Sequence, residues 1–202
     1  MYTLTAAAIT AGVLALTATA MPLNTTESSS IASRDGDTFR IHVWNNCPWT
    51  KQFAIYGVDS SFNMIQYTDP VNIKTGHKKI INAPYYGVGL RLSGHAEWGT
   101  DGQWVNQALF EFGYSKYLEV EGTSYDVSIM MTPAPGSEPD IGLGAYPIDN
   151  GRGSASCRSF TCFPWYCPPD QGWTNPDQIN IGSPADTVCY EGKTDIKMVW
   201  CP

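Results

Sequence analysis

Apolar residues recur at every second position along much of the chain, and proline and glycine break the alternation about every 10 to 20 residues. That period belongs to half-buried strands, so the pattern predicts an all-β sandwich with few helices. In "TFRIHVW", Phe39, Ile41 and Val43 share one face. In "YGVGLRLSG", Tyr86, Val88, Leu90 and Leu92 share one, which turns Arg91 outward. In "SYDVSIMM", Tyr125, Val127 and Ile129 point to the core.

The stretch from Ala108 to Gly122, "ALFEFGYSKYLEVEG", carries three glutamates among apolar neighbours. Strand parity sends Phe110 and Phe112 inward, then Leu118 and Val120 inward on the next strand, and leaves Glu111, Glu119 and Glu121 facing away from those cores. A short turn in "GYSKY" would set Glu111 opposite Glu119 with Cβ atoms about 5 Å apart. Carboxylates that close repel one another, and Arg91 is a candidate to relieve them.

Residues 1–20 read as a secretory signal peptide: Ala6 to Ala20 is almost wholly small and apolar and ends Ala18-Thr19-Ala20. Residues 21–37 are polar and rich in Ser, Thr and Asp, and read as a disordered leader holding the sequon at Asn24. Residues 38–202 suit one domain with a real core. The protein is expected to be a secreted, extracellular or cell-wall monomer. The net charge of −7, with 12 Lys plus Arg, argues against nucleic acid or an anionic membrane as partner and leaves neutral ligands as the natural class.

Six cysteines in a secreted chain imply three disulfides, with Cys47 early and Cys157, Cys162, Cys167, Cys189 and Cys201 late. Their spacing is not that of a zinc knuckle, and His42, His77 and His95 are scattered singly, so neither a metal nor a cofactor is expected. Seven Trp and eleven Tyr are a heavy aromatic load. Trp98, Trp104, Trp165 and Tyr166 fall in Gly- and Pro-rich segments, where exposed rings can stack on sugars, whereas Trp44 and Trp200 lie beside the terminal strands and read as caps on the core.

Taken in order, five motifs resemble the thaumatin-like proteins, the osmotin group in particular. They are "NNCPWT" at Asn45–Thr50, "INAP" at Ile81–Pro84 with Arg91 seven residues on, "LFEFGYSKYLEVEGTSYDVSIMMTP", "CRSFTC" at Cys157–Cys162, and the closing "DTVCYEGKTDIKMVWCP". The family's Cys-rich central signature is missing and the cysteine set is reduced, a pattern similar to short fungal antigens of the same superfamily, which points to a fungal source. The resemblance implies a disulfide-bonded antiparallel β-sandwich with a loop-rich extension, and the pairs Cys47–Cys201, Cys157–Cys189 and Cys162–Cys167. It also implies an acidic cleft of Arg91, Glu111, Glu119 and Asp177, with a further family Asp falling near Gly122 and Thr123 and so missing, and Glu121 left as surface. Trp98 and Trp165 join the candidate ligand contacts.

Glu111 and Glu119 are the candidate catalytic pair, because two carboxylates about 5 to 10 Å apart can hydrolyse a glycosidic bond. With one family acid missing, the leading expectation is non-catalytic binding of cell-wall polysaccharide of the β-glucan class. A weak endo-β-1,3-glucanase and a secreted effector or antigen that binds an extracellular protein are the alternatives.

Overall fold

The computed structural model describes residues 37–129, 141–164, 166–175, 178 and 187–202. The expected signal peptide, the leader up to residue 36, Asn24, Trp165 and Asp177 lie outside the described residues.

Twelve strands follow one another: β1 (Thr38–Asn45), β2 (Lys51–Val58), β3 (Met64–Gln66), β4 (Val71–Ile73), β5 (His77–Pro84), β6 (Leu90–Ser93), β7 (Ala108–Tyr117), β8 (Val120–Ile129), β9 (Leu143–Pro147), β10 (Phe160–Cys162), β11 (Thr187–Cys189) and β12 (Ile196–Trp200). The helical segments among the described residues are short 3-10 turns such as Ala96–Trp98 and Asp101–Trp104. One sheet runs β10-β9-β12-β1-β5, and the other runs β11-β8-β7-β6-β2-β3 with β4 also paired to β2. The all-β sandwich expected from the alternation is the fold observed. It is not wholly antiparallel, because β1 and β12 pair in parallel, Ile41 beside Ile196 through Asn45 beside Trp200.

Aromatic rings join the two sheets. Phe39 on β1 meets Phe112 on β7 edge to face at 5.5 Å, Phe53 on β2 meets Trp200 on β12 at 4.9 Å, and Tyr125 on β8 meets Phe160 on β10 at 5.8 Å. Trp200, Phe53, Phe110 and Phe160 are fully buried, and each such side chain contributes about 1.5–3 kcal/mol of transfer free energy. Trp200 is thus part of the core, while Trp44 is half-buried on the outer side of β1.

The turn after β1 shows why "NNCPWT" has its residue types. Asn45 is buried, and its side-chain amide donates to the carbonyls of Trp49 and Ile73, both at 2.8 Å. Its side-chain oxygen accepts from the Cys47 N–H at 3.1 Å. A buried polar group is tolerated when its hydrogen-bonding capacity is met, and here it fixes the turn that presents Cys47 to Cys201.

All six cysteines are bonded: Cys47–Cys201, Cys157–Cys189 and Cys162–Cys167. Three disulfides are consistent with an oxidising, extracellular environment. The first ties the ends of the two parallel terminal strands across 154 residues of sequence.

Two expectations from parity fail. Tyr86 and Val88 are 53% and 76% exposed, because β6 begins only at Leu90, after a turn in which Gly89 takes φ 63°. Leu118 and Val120 are also exposed. β7 continues through "GYSKY" to Tyr117, which pairs with Val120 and leaves Leu118-Glu119 as a two-residue loop.

Candidate functional site

The ladder of the seven-stranded sheet aligns a row of polar side chains on its outer face. Arg91 on β6 is directly opposite Glu111 on β7, and Glu111 is directly opposite Asp126 on β8. Parity produces this row: Leu90 and Leu92, Phe110 and Phe112, and Tyr125 and Val127 all turn into the core, so the residues between them turn out. An Arg91 Nη lies 3.9 Å from a Glu111 carboxylate oxygen. The guanidinium also packs over the Trp104 ring at 5.7 Å from its centroid, a cation–π contact with a ring that is 54% exposed.

Beside the charged row the sheet is nearly bare. Gly113 and Ser124 pair across β7 and β8, and Ser124 pairs with Val188 on β11. A Cβ at Gly113 would come within 3.3 to 3.5 Å of the backbone of residues 87–89, so glycine lets the β6 turn settle against the strand. The result is a groove of about 410 Å3 lined by Arg91, Glu111 and Asp126 together with Val88, Ser124 and Val188.

The segment that carries Trp104 is anchored by a polar relay that runs from the buried Lys51 and His95 to the exposed Glu97. Lys51, 2% exposed, has its ammonium 3.1 Å from His95 Nε2, and His95 Nδ1 lies 2.7 Å from a Glu97 carboxylate oxygen. Trp98 stacks on the His95 ring at 3.7 Å, nearly parallel. Gln103, also buried, donates from its amide to the carbonyls of His95 and Gly99 at 2.9 and 3.0 Å.

Of the site residues anticipated from sequence, the structure brings Arg91 and Glu111 together. Glu119 is exposed in the β7–β8 loop and is not among the groove residues; the residue facing Glu111 is Asp126. The chain reverses at Leu118-Glu119, just past "GYSKY", which moves Glu119 off the strand. Trp98 is packed against His95, and Trp104 is the ring set over Arg91. Glu121 is at the surface, paired with Lys116 at 3.5 Å, and the Tyr114 phenol's pKa is raised by burial and by Glu121 beside it.

Asp126 was legible in principle. With Tyr125 and Val127 inward, period two puts it outward on the same face as Glu111.

Two packed sheets, terminal strands tied by Cys47–Cys201 and a carboxylate-lined groove on the larger sheet form a sandwich of the thaumatin-like type that the sequence motifs imply. No family model matches the chain, and no curated protein matches it. Among solved structures, it is similar to the protein elicitor MoHrip2 from Magnaporthe oryzae, at 15% identity and a TM-score of 0.46 over 81% of this chain and 99% of that one. It is also similar to the thaumatin-like xylanase inhibitor TLXI, at 12% identity and a TM-score of 0.47 over 80% of this chain and 99% of that one. At these values neither likeness bears on function, and the fold assignment stands on strand order, core and disulfides.

Proposed function

We propose that this protein is a secreted, non-catalytic binder of cell-wall polysaccharide of the β-glucan class, and that Arg91, Glu111 and Asp126 contact the sugar. The observation that carries the reading is the cross-strand row of these three side chains in one open groove, next to an exposed indole. Ionised carboxylates accept hydrogen bonds from sugar hydroxyls, the guanidinium donates them, and an aromatic ring offers its face to the apolar side of a pyranose.

Hydrolysis is the weaker reading. Register places Glu111 and Asp126 directly opposite one another, with Cβ atoms about 5 Å apart, close enough for the two carboxyl groups to act on one bond. Spacing alone is not sufficient, because a glycosidase also needs one carboxyl held protonated, as apolar burial does for a general acid. Glu111, 37% exposed and paired with Arg91, is the anion of the two, so hydrolysis would need Asp126 to supply the proton.

Incubating the secreted protein with insoluble β-1,3-glucan, chitin and cellulose tests the proposal. Retention on the glucan without release of reducing sugar is expected. Release of soluble sugar would make the groove a glucanase site, and retention on none of the three would favour an extracellular protein as partner.

A further inference from the structure

The outer face of the other, five-stranded sheet carries a different chemistry. Two aromatic rings are fixed on it. Tyr146 on β9 donates to or accepts from Thr161 Oγ1 at 2.8 Å, and its ring lies across Gly144 of the same strand, where a Cβ would come within 2.5 to 2.8 Å of the ring and hydroxyl. Trp44 on β1 is half-buried and lies two strands away, about 10 Å by strand spacing, with the buried Val199 of β12 between them.

Lysines flank these rings. Lys197 on β12 sits with its ammonium 4.6 Å from the Trp44 centroid and 5.6 Å from that of Tyr146, and Lys78 on β5 sits 5.0 Å from the Trp44 centroid. Register explains both contacts: Lys78 is directly opposite Trp44, and Lys197, directly opposite both Tyr146 and His42, is diagonal to it.

Charge separates these lysines from the third cation on the face. Arg40 has its charge answered by Asp195 at 2.5 Å and Asp149 at 3.4 Å. Among the described residues, Lys78 and Lys197 have only aromatic faces as partners, and a ring's quadrupole leaves an ammonium's donors free for an anion. In a chain of net charge −7 the two lysines make a local positive spot between flat rings.

We propose that this face is a second binding surface, separate from the Arg91–Glu111–Asp126 groove, and that it takes an acidic polysaccharide whose sugars carry carboxylates. Lys78 and Lys197 swing off the rings to pair with the carboxylates, and Trp44 and Tyr146, so uncovered, stack on the sugar rings. A lipid surface fits less well, since interfacial binding needs apolar side chains that project into the bilayer, and here the Tyr146 ring lies against its own strand, Trp44 is half-buried, and Ile80 is the exposed aliphatic neighbour. A nucleic acid would call for more cations than two lysines supply. Long-range repulsion from the net charge is screened beyond about 8 Å at physiological salt, so the local lysines decide.

Affinity electrophoresis of the full secreted protein through gels containing polygalacturonate, or the same polymer fully methyl-esterified, tests the proposal. Retardation by polygalacturonate that falls with added salt and is lost with the esterified polymer is expected. The double variant Lys78→Gln/Lys197→Gln should weaken it about fivefold to tenfold, as loss of two exposed charge pairs does, while Glu111→Gln leaves it intact. Equal retardation by the esterified polymer, an unaffected double variant, or binding to phosphatidylserine vesicles but not to polygalacturonate would overturn it. The glucan reading is scored separately, by retention on insoluble β-1,3-glucan, so the two can fail independently.

Discussion

Glu111 and Asp126 face one another across β7 and β8, and Arg91 stands on the far side of Glu111 at 3.9 Å. Three adjacent strands each contribute one polar side chain to one row, so the site is as rigid as the sheet beneath it. Rigid placement suits recognition of a rigid polymer, since little ordering entropy is lost on binding. It also makes the site sensitive to register, because a slip of one residue in β8 would bury Asp126 and expose Val127.

The disulfides should differ in worth. In the chain-entropy model, closing the 154-residue separation of Cys47–Cys201 stabilises by about 5 kcal/mol, and the five-residue separation of Cys162–Cys167 by about 2 kcal/mol. Replacing each pair with serine and measuring thermal unfolding should give a clearly larger loss for the first pair. Equal losses would mean that the terminal strands are held by other contacts.

Tyr85 is the clearest case for a stabilising change. Its ring packs with Tyr86 and Tyr114 at 5.0 and 5.5 Å, while its buried hydroxyl finds no hydrogen-bond partner among the described residues. Tyr85→Phe should raise stability by about 1 kcal/mol at neutral pH, since an unsatisfied buried donor is removed and the ring kept. Burial, with Glu121 and the neighbouring tyrosines, pushes the phenol up to about 12 from the ordinary 10. A raised folded-state value gives stability that is fully present below pH 10 and lost as pH climbs toward 12. Denaturant midpoints across that window should fall less steeply in Tyr85→Phe than in the parent; parallel curves would assign the alkaline loss to other groups.

Gly122 is required by a close approach of backbones. A Cβ there would lie 1.9 Å from the Cys189 carbonyl oxygen, where β11 pairs with β8 and Thr123 is opposite Cys189. Gly122→Ala should therefore destabilise by at least the 1–3 kcal/mol typical of overpacking, because backbone cannot step aside as a side chain can. A thermal midpoint unchanged from the parent would show that β11 can lift away without cost.

The core was legible where alternation ran uninterrupted: Phe39, Ile41 and Val43 on β1, and Tyr125, Val127 and Ile129 on β8, are buried as parity requires. It failed at the β7–β8 loop for a local reason. Two-residue hairpin loops favour Gly, Asn or Asp where φ is positive, and here Leu118 takes φ 52°. With Leu and Glu in the loop, no punctuation marked the reversal, and a Gly-containing "GYSKY" looked the better turn. Arg91 and Glu111 were found because flanking core residues fixed their parity. Asp126 follows from the same parity but needs the true β7–β8 register to bring it opposite Glu111, and nothing in a Gly-rich segment distinguishes Trp104 from its neighbouring indoles before the fold sets it over Arg91.

The most direct test of the account compares two single variants by their retention on insoluble β-1,3-glucan. Asp126→Asn alters a carboxylate in the groove, and Glu119→Gln alters one in the hairpin loop outside it. Loss of a hydrogen bond to a charged group is worth about 1.5–3 kcal/mol, so Asp126→Asn should weaken binding about tenfold or more, and Glu119→Gln should bind as the parent does. Glucan retention that falls in Glu119→Gln and persists in Asp126→Asn would contradict the account.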